Sequence, residues 1–290
     1  MPILRQFALG APLLALLGAA AAARPVPPFP RPPVLPIPQH GGYVAVDGVR
    51  LWYGQFGTGP VVLLIEGGLG SGDDWGYLAP YLAAHGYRAV VFDSRCQGRS
   101  TCDDTLITYR LMARDTEALM RTLDIPRAAI VGYSDGGIIG LEMAIHDPRR
   151  VVGVFAYGAN TNPAALDSHV SAAQRHVDAV SGVWSKQVYE HISPTPAAFA
   201  QVARRIFTLW ATRPHLTAAQ LHTIHAPVWI ADGDRDTIKR SDTDLMAQSI
   251  PLGSELILPF ASHFGLWEYP ALFDRAVLQF LVATDPRPRG

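Results

Sequence analysis

Short apolar runs alternate with stretches of helical periodicity along most of the chain. Residues 61–65 and 89–92 are unbroken apolar runs, which suits strands that are buried on both faces of a sheet. Residues 108–123 carry apolar side chains on one helical face. The same patterns predict further strands at 44–46, 49–53, 129–131, 151–157, 228–230 and 256–258, and further helices at 74–84, 138–145 and 270–281. The alternation predicts an α/β fold, in which helices cover both faces of a mostly parallel sheet.

One stretch interrupts this alternation. Residues 160–224 show no strand pattern, only helical segments around 169–180, 197–210 and 218–222. An insertion of this kind after a strand, at the carboxyl end of the sheet, predicts a small helical cap over a site. The core domain is then expected in two segments, 40–159 and 225–290.

The first residues have the three-part layout of a secretory signal peptide. Arg5 precedes an apolar run at 7–17, and small residues fill positions 18–23. We expect residues 1–23 to be removed and a Pro-rich spacer to follow at 24–39. The protein is therefore predicted to be exported, either periplasmic or secreted, with no stable membrane insertion after cleavage. A retained membrane anchor is the alternative, although the apolar run is short for a bilayer span.

Composition narrows the class of protein. The chain is 49% hydrophobic and 17% charged, with a formal net charge of −1. It has no basic stretch suited to nucleic acid, so a small-molecule enzyme is expected. The two cysteines, Cys96 and Cys102, stand six positions apart. In an exported protein such a pair predicts a disulfide, two small buried thiols being the alternative.

Residues 132–136 read Gly-Tyr-Ser-Asp-Gly and fit the pattern G-x-S-x-G between a predicted strand and a predicted helix. In that context the turn must be tight, and it lifts the hydroxyl of Ser134 at the sheet edge beside a helix N-terminus. Ser134 is therefore the candidate nucleophile. The alternative is an ordinary tight turn.

A nucleophilic serine needs a base, and the base needs an acid to orient it. His263 alone among the histidines follows the last predicted strand, and it is the candidate base. Asp232, Asp234 and Asp236 follow the strand at 228–230, and the residues alone leave the choice of acid open. Both loops leave the sheet at the same edge as the predicted serine turn, so these side chains can converge.

His222 and His225 have a spacing that invites a metal interpretation. No third ligand stands nearby with a suitable pattern, so the pair is expected to lie at the end of the cap segment. Neither a metal nor a cofactor is expected.

The chain resembles the α/β-hydrolase superfamily from about residue 42 to residue 281. The motifs that carry the resemblance are an oxyanion-type loop at 67–70, a D-x-R-x-x-G-x-S loop at 93–100, the serine turn at 132–137 and Ser-His-Phe at 262–264. Ser-Asp-Gly-Gly at 134–137 and Gly-Ala-Asn at 158–160 are similar to the valacyclovir hydrolase-like esterases. In these relatives the acid lies three residues after the glycine that ends its strand, which implies Asp236 here.

The resemblance also implies an oxyanion hole formed by two backbone N–H groups. These are the N–H of Asp135, directly after the nucleophile, and the N–H of Gly68, with Leu69 as the alternative if the loop is shifted by one residue. The chain departs from the family pattern at Glu66, where a histidine is usual, and at Cys96, where a glycine is usual. The hydrogen bonding of the first loop and the geometry of the second turn must therefore differ.

Five side chains are candidates for substrate binding: Leu69, Tyr133, Asp135, Glu66 and Trp210. A carboxylate at Asp135, beside an oxyanion hole, has two interpretations: a subsite for an ammonium group, or a side chain held by hydrogen bonds to the cap or the oxyanion loop. Glu66 would add to the same negative field. The cap aromatics Trp184, Tyr189, Phe207 and Trp210 would line an apolar pocket or form the core of the cap.

The function that these residues and the resemblance imply is serine hydrolysis of a small-molecule carboxylic ester, lactone or thioester through an acyl-enzyme. The expected partner is that substrate and not a nucleic acid. A nucleophilic aspartate would have indicated a dehalogenase or an epoxide hydrolase. An aminoacyl ester or imino-peptide hydrolase that uses Asp135 for an amino group is one alternative. A non-catalytic binding protein on the same fold is another.

Overall fold

The computed structural model describes residues 34–167 and 183–284. Eight strands form one sheet in the spatial order β1-β2-β4-β3-β5-β6-β7-β8. In chain order the strands are β1 (His40–Val46), β2 (Val49–Phe56), β3 (Val61–Ile65), β4 (Arg88–Phe92), β5 (Ala128–Tyr133), β6 (Val151–Tyr157), β7 (Val228–Gly233) and β8 (Gly253–Leu258).

The sheet is antiparallel only at one edge, where β1 pairs with β2 and β2 pairs with β4. The remaining neighbours are parallel. Parallel pairing needs a crossover for each strand, and the crossover helices cover both faces of the sheet. This is why the central strands are continuous apolar runs rather than alternating ones.

Within the described residues the helices, in chain order, are α1 (Leu78–Ala84), α2 (Tyr109–Thr122), α3 (Asp135–His146), α4 (Val183–Ile192), α5 (Phe199–Thr212), α6 (Ala218–Leu221), α7 (Arg240–Ser249), α8 (Gly265–Glu268) and α9 (Pro270–Thr284). Two apolar clusters form the core, one on each face of the sheet. Leu63 and Ile65 point into the cluster with α2 and α3, whereas Val62 and Leu64 point into the cluster with α1 and α9. The predicted α/β architecture is thus confirmed.

All eight predicted strands are present, and the element boundaries differ in a few places. The helix expected from Asp74 is divided into a 3₁₀ turn (Gly72–Trp75), capped by the side chain of Ser71, and then α1. Asp74 is buried inside that turn instead of capping a helix at the surface. Helices α4 and α7 were not predicted.

Some expectations fall on residues that the structure does not describe. The predicted signal peptide at 1–23, most of the spacer at 24–39 and the cap helix at 169–180 lie outside the described residues. Between residues 183 and 224, α4, α5 and α6 follow β6 and precede β7. In the described ranges, no helix combines the length and apolarity that crossing a membrane requires.

The two cysteines are bonded to each other, with a separation of 2.00 Å between the sulfur atoms of Cys96 and Cys102. Arg205 on α5 lies against this loop. Its guanidinium donates to the carbonyl oxygen of Asp103 at 2.6 Å and contacts the sulfur of Cys102 at 3.0 Å. The cross-linked loop is therefore in direct contact with α5.

Candidate active site

Ser134 stands at a sharp turn between the end of β5 and the start of α3. Its backbone has φ 52° and ψ −116°, a conformation that a residue with a side chain rarely adopts. The turn depends on two glycines. A Cβ at Gly132 would lie 2.2 Å from the carbonyl oxygen of Gly136, and one at Gly136 would lie 2.0 Å from that of Ile65. Only the G-x-S-x-G pattern therefore allows this approach of strand and helix.

A continuous hydrogen-bonded chain runs from this serine through two loops at the carboxyl edge of the sheet. Nε2 of His263 lies 3.1 Å from Oγ of Ser134, and Nδ1 of His263 lies 2.9 Å from Oδ1 of Asp236. The backbone N–H of Ile238 donates to the same carboxylate oxygen at 3.0 Å. The three residues come together although 129 positions separate the serine from the histidine.

The other two carboxylates of the loop after β7 have different surroundings. Asp232 is buried and accepts a hydrogen bond from the hydroxyl of Thr243. Asp234 is exposed and lies 4.0 Å from Arg235. Of the three carboxylates, only Asp236 contacts His263 in the described structure.

The two ionisable partners shift each other's pKa. Burial works to raise the pKa of Asp236, but the charge and hydrogen bond of His263 outweigh it, and the pKa lies below the usual value. Burial works to lower the pKa of His263, but Asp236 outweighs it, and the net shift is upward. Asp236 is therefore a carboxylate near neutral pH, and it holds the imidazole with Nε2 toward the serine.

The two residues predicted to form the oxyanion hole, Asp135 and Gly68, lie close to each other. Asp135 is the first residue of α3, directly after the serine. Gly68 lies close to it, since a Cβ at Gly68 would be 2.5 Å from Oδ2 of Asp135 and 2.4 Å from the ring of Trp210. The N–H of Leu69 donates instead to Oε1 of Gln97. The structure thus brings Gly68 to the site and directs the N–H of Leu69 away from it.

The carboxylate of Asp135 is held by two neutral donors. The hydroxyl of Tyr109 donates to Oδ1 at 2.7 Å, and the indole N–H of Trp210 donates at 2.9 Å. Burial raises the pKa of Asp135 to about 6, while these two hydrogen bonds and the nearby His263 work in the opposite direction. The side chain is therefore hydrogen-bonded to Trp210 of α5, which lies in the segment predicted to form a cap.

A cavity of about 240 Å³ opens over the serine and the histidine. The residues that line it are Tyr109, Ser134, Asp135, Asn160, Leu166, Trp210, Arg213, Thr237, Ile238, His263 and Phe264. Two of the predicted substrate-binding residues, Asp135 and Trp210, are among them. The cavity wall is mostly apolar, which suits a small organic substrate.

Three of the predicted substrate-binding residues do not line this cavity. Glu66 is fully buried, and its Oε1 accepts a hydrogen bond from the N–H of Ser94 at 2.6 Å. Tyr133 is buried, with its ring centre 5.2 Å from that of His263. Leu69 packs against the apolar core cluster. These three residues are therefore not part of the cavity wall, contrary to the prediction that they bind substrate.

Two of the four aromatics predicted for the cap segment belong to the apolar core. Tyr189 and Phe207 are buried in the apolar cluster, and Trp210 alone of the described aromatics on α5 reaches the cavity. The side chain of Trp184 lies outside what the structure describes. His222 and His225 are both exposed after α6.

Sequence reasoning missed several residues that line the cavity. Tyr109 begins α2, and its place in the sequence carries no sign of a site. Arg213 directly follows α5, and Thr237 and Ile238 follow the candidate acid. Proximity to Asp236 in the chain was the available signal for the last two.

Comparison with known proteins agrees with this geometry. The family described as alpha/beta hydrolase fold matches residues 60–231. The chain therefore belongs to the alpha/beta hydrolase fold family, and hydrolysis is the activity that this membership supports.

The chain is also similar to individual proteins. Bifunctional epoxide hydrolase 2 of Sus scrofa is 28% identical over 152 residues, which are 52% of this chain and 27% of that protein. The chain thus spans about a quarter of the length of that relative. Serine hydrolase BPHL of Homo sapiens is 28% identical over 250 residues, 82% of this chain and 85% of that protein. Among solved structures, "Est816 as an N-Acyl homoserine lactone degrading enzyme" has a TM-score of 0.69 and 22% identity, and the match covers 82% of this chain and all of that one.

Proposed function

We propose that the protein is a serine hydrolase that cleaves a carboxylic ester, lactone or thioester of a small molecule through an acyl-enzyme. The observation that carries the proposal is the hydrogen-bonded chain from Ser134 through His263 to Asp236, with separations of 3.1 and 2.9 Å. These lengths are within the range at which a base activates a serine. The site opens into a largely apolar cavity of suitable volume.

The chemistry follows from the positions of these groups. His263 removes the proton of Ser134 as Oγ attacks the carbonyl carbon, and Asp236 stabilises the imidazolium that forms. The N–H groups of Asp135 and Gly68 would stabilise the oxyanion, each by roughly 3–4 kcal/mol in the transition state. The leaving alcohol or thiol takes the proton from His263. Water then repeats the sequence on the acyl-enzyme and releases the carboxylic acid.

The comparisons support this class over two others. Human BPHL is described as a serine hydrolase, and the Est816 structure is described as a lactone-degrading enzyme. The epoxide hydrolases match as well, but an aspartate nucleophile would suit that reaction, and this chain has Ser134. A non-catalytic binding protein would not need the strained serine turn and the complete chain of hydrogen bonds.

A second candidate function is hydrolysis of an ester or imino-peptide that bears an amino group. The resemblance to the valacyclovir hydrolase-like esterases suggests this activity. Asp135 lines the cavity and receives hydrogen bonds only from neutral donors among the described residues. A carboxylate in that setting would be stabilised by an ion pair with a cationic group of the substrate. This observation favours an ammonium group close to the reacting carbonyl.

Covalent labelling tests the proposed class. Purified protein is treated with a fluorophosphonate probe, and Ser134→Ala is the control. We expect stoichiometric labelling of the wild-type serine and none of the variant. A panel of chromogenic esters that vary in acyl length and amino-group charge then gives kcat/KM for each. Absence of labelling together with absence of turnover would support the binding-protein alternative.

We also propose that the protein is exported and that residues 160–224 form a cap over the cavity. The layout of residues 1–23 supports export. The hydrogen bond from Trp210 on α5 to Asp135 supports the cap.

A further inference from the structure

A hydrogen-bond relay of two side chains connects the buried interior to the loop of the candidate oxyanion hole. Nε2 of Gln97 donates to Oε1 of Glu66 at 3.2 Å, and Oε1 of Gln97 accepts the backbone N–H of Leu69. The N–H of Ser94 donates to the same oxygen of Glu66 at 2.6 Å. The relay thus links the segment after β3 to the loop after β4, residues that are about 30 positions apart in the chain.

The relay engages one N–H of the loop, that of Leu69, which donates to Oε1 of Gln97. Leu69 has a positive φ of 62°. The preceding residue, Gly68, lies against the ring of Trp210 and the carboxylate of Asp135. Loss of the relay would release Leu69 and allow the loop to shift, so the Gly68 N–H would no longer be held in place.

Glu66 lies among acidic groups. Asp93 and Asp74 are buried near it, and Asp73 adds further negative charge to both. In the described part of the chain, Arg99 pairs with Asp93 and Asp73, and Oε2 of Glu66 has no hydrogen-bond partner. Burial, with the charge of Asp93, raises the pKa of Glu66 to about 8. The carboxyl group is therefore neutral at pH 7.

We propose that Glu66 and Gln97 are positioning residues of the oxyanion loop. Glu66 accepts the hydrogen bond that orients the amide of Gln97, and Gln97 in turn holds Leu69 and leaves the Gly68 N–H for the substrate. The inference rests on the proposed function, because it assigns a role in that reaction. A glutamine at position 66 would reproduce the neutral form, with one amide oxygen to accept the same bonds.

The relay makes opposite predictions for two substitutions at position 66. Glu66→Gln retains the acceptor without the charge, so kcat at pH 7 should remain within about twofold of wild type. Glu66→Leu and Gln97→Ala each remove the relay. Each should lower kcat by roughly 10–100-fold and leave KM little changed. This loss is smaller than the roughly 10²–10³-fold loss in kcat that removal of an oxyanion donor causes, because the donor itself remains. Ionisation of Glu66 adds a buried negative charge behind the loop, so wild-type kcat should decline above about pH 8 and Glu66→Gln should not decline there.

The experiment measures kcat and KM for p-nitrophenyl acetate between pH 6 and pH 9.5, together with the rate of labelling by a fluorophosphonate. Asp274→Asn is the matched control, because Asp274 is a buried carboxyl on α9 whose pKa is raised to about 7 by burial. It should leave the alkaline decline in place.

The outcomes separate this inference from the proposed function. Wild-type protein that is neither labelled nor active overturns the proposed function itself. Wild-type protein that is labelled, with Gln97→Ala labelled equally fast and equally active, overturns the positioning role alone. If Glu66→Leu and Gln97→Ala do not fold, the pH profiles of kcat for wild type and Glu66→Gln still test the proposal. An alkaline decline that persists unchanged in Glu66→Gln contradicts the proposal.

Discussion

Gly158 lies directly against the ring of His263: a Cβ at this glycine would stand 2.6 Å from Cε1 of the imidazole. Gly158 follows β6 and has φ +67°, and no side chain stands between it and the ring. The position of the candidate base is therefore determined by a neighbouring glycine as well as by Asp236. The effect of this contact on activity can be distinguished from the effect of backbone strain by comparing alanine variants at two glycines with positive φ.

Gly158→Ala should lower kcat/KM by about 100-fold, because a displacement of the imidazole of about 1 Å is enough for that loss. Gly86→Ala is the matched control. Gly86 also has a positive φ, +79°, but no atom lies within 4 Å of its Cβ position. Both variants should lose about 1–2 kcal/mol of stability from the left-handed backbone. Equal activities of the two variants would show that His263 accommodates the methyl group.

The choice of acid predicts unequal effects within one loop. Asp236→Asn should lower kcat at least about 10²-fold, while Asp234→Asn, at an exposed position, should retain wild-type activity. Ser134→Ala and His263→Ala should each lower kcat by roughly 10⁴–10⁶, and the double variant should be little worse. An active Asp236→Asn beside an inactive Asp234→Asn would reverse the assignment.

The direction of the His263 shift predicts the acid side of the pH profile. His263 acts as a base only when it is neutral, and its pKa lies above the ordinary 6.5 because Asp236 outweighs burial. Activity should therefore be lost as the pH falls through a midpoint above 6.5 in kcat/KM. Asp236→Asn removes the raising influence, so its residual activity should have a lower midpoint. A midpoint that does not move in this variant would mean that another group controls the acid side.

The two interpretations of Asp135 differ in how its substitution affects charged substrates. At 4 Å and an effective dielectric of about 20, a charge pair is worth roughly 4 kcal/mol, and about a third remains after desolvation. Asp135→Asn should thus reduce kcat/KM for an aminoacyl ester about tenfold more than for a neutral ester of the same shape. Both are measured at pH 7, above the pKa of about 6 for Asp135 and below the pKa of about 7.7–8.0 for a free α-amino group. Equal losses would mean that Tyr109 and Trp210 hold Asp135 for a structural purpose.

Export predicts a particular mass for the recovered protein. Intact-mass measurement should give a chain that begins near Arg24. If the protein is alkylated without reduction before the measurement, Cys96 and Cys102 should be unmodified because they are bonded to each other. The mature chain then has a net charge of −2, since removal of Arg5 takes one positive charge from −1. A full-length chain in the membrane fraction would favour the anchor, and two alkylated cysteines would contradict the bridge in solution.

Local patterns in the sequence were sufficient for the elements that depend on neighbours in the chain. Apolar patterns predicted all eight strands, and the glycines around Ser134 identified the turn because only residues without a side chain fit there. Helix α7 was missed because a helix that is polar over most of its length has a weak apolar period.

The roles of individual carboxylates were decided only by the tertiary structure. Asp135 receives hydrogen bonds from residues 26 and 75 positions away, and Glu66 from residues 28 and 31 positions away. A side chain's charge, partner and access to the cavity depend on which distant segments pack around it. The sequence alone therefore determined the strands, the serine turn and the candidate base. Folding determined that Asp135 faces the cavity and that Glu66 faces the interior. Both outcomes depend on hydrogen bonds between remote segments and on the burial of carboxyl groups, which arise only when the sheet and the helices pack together.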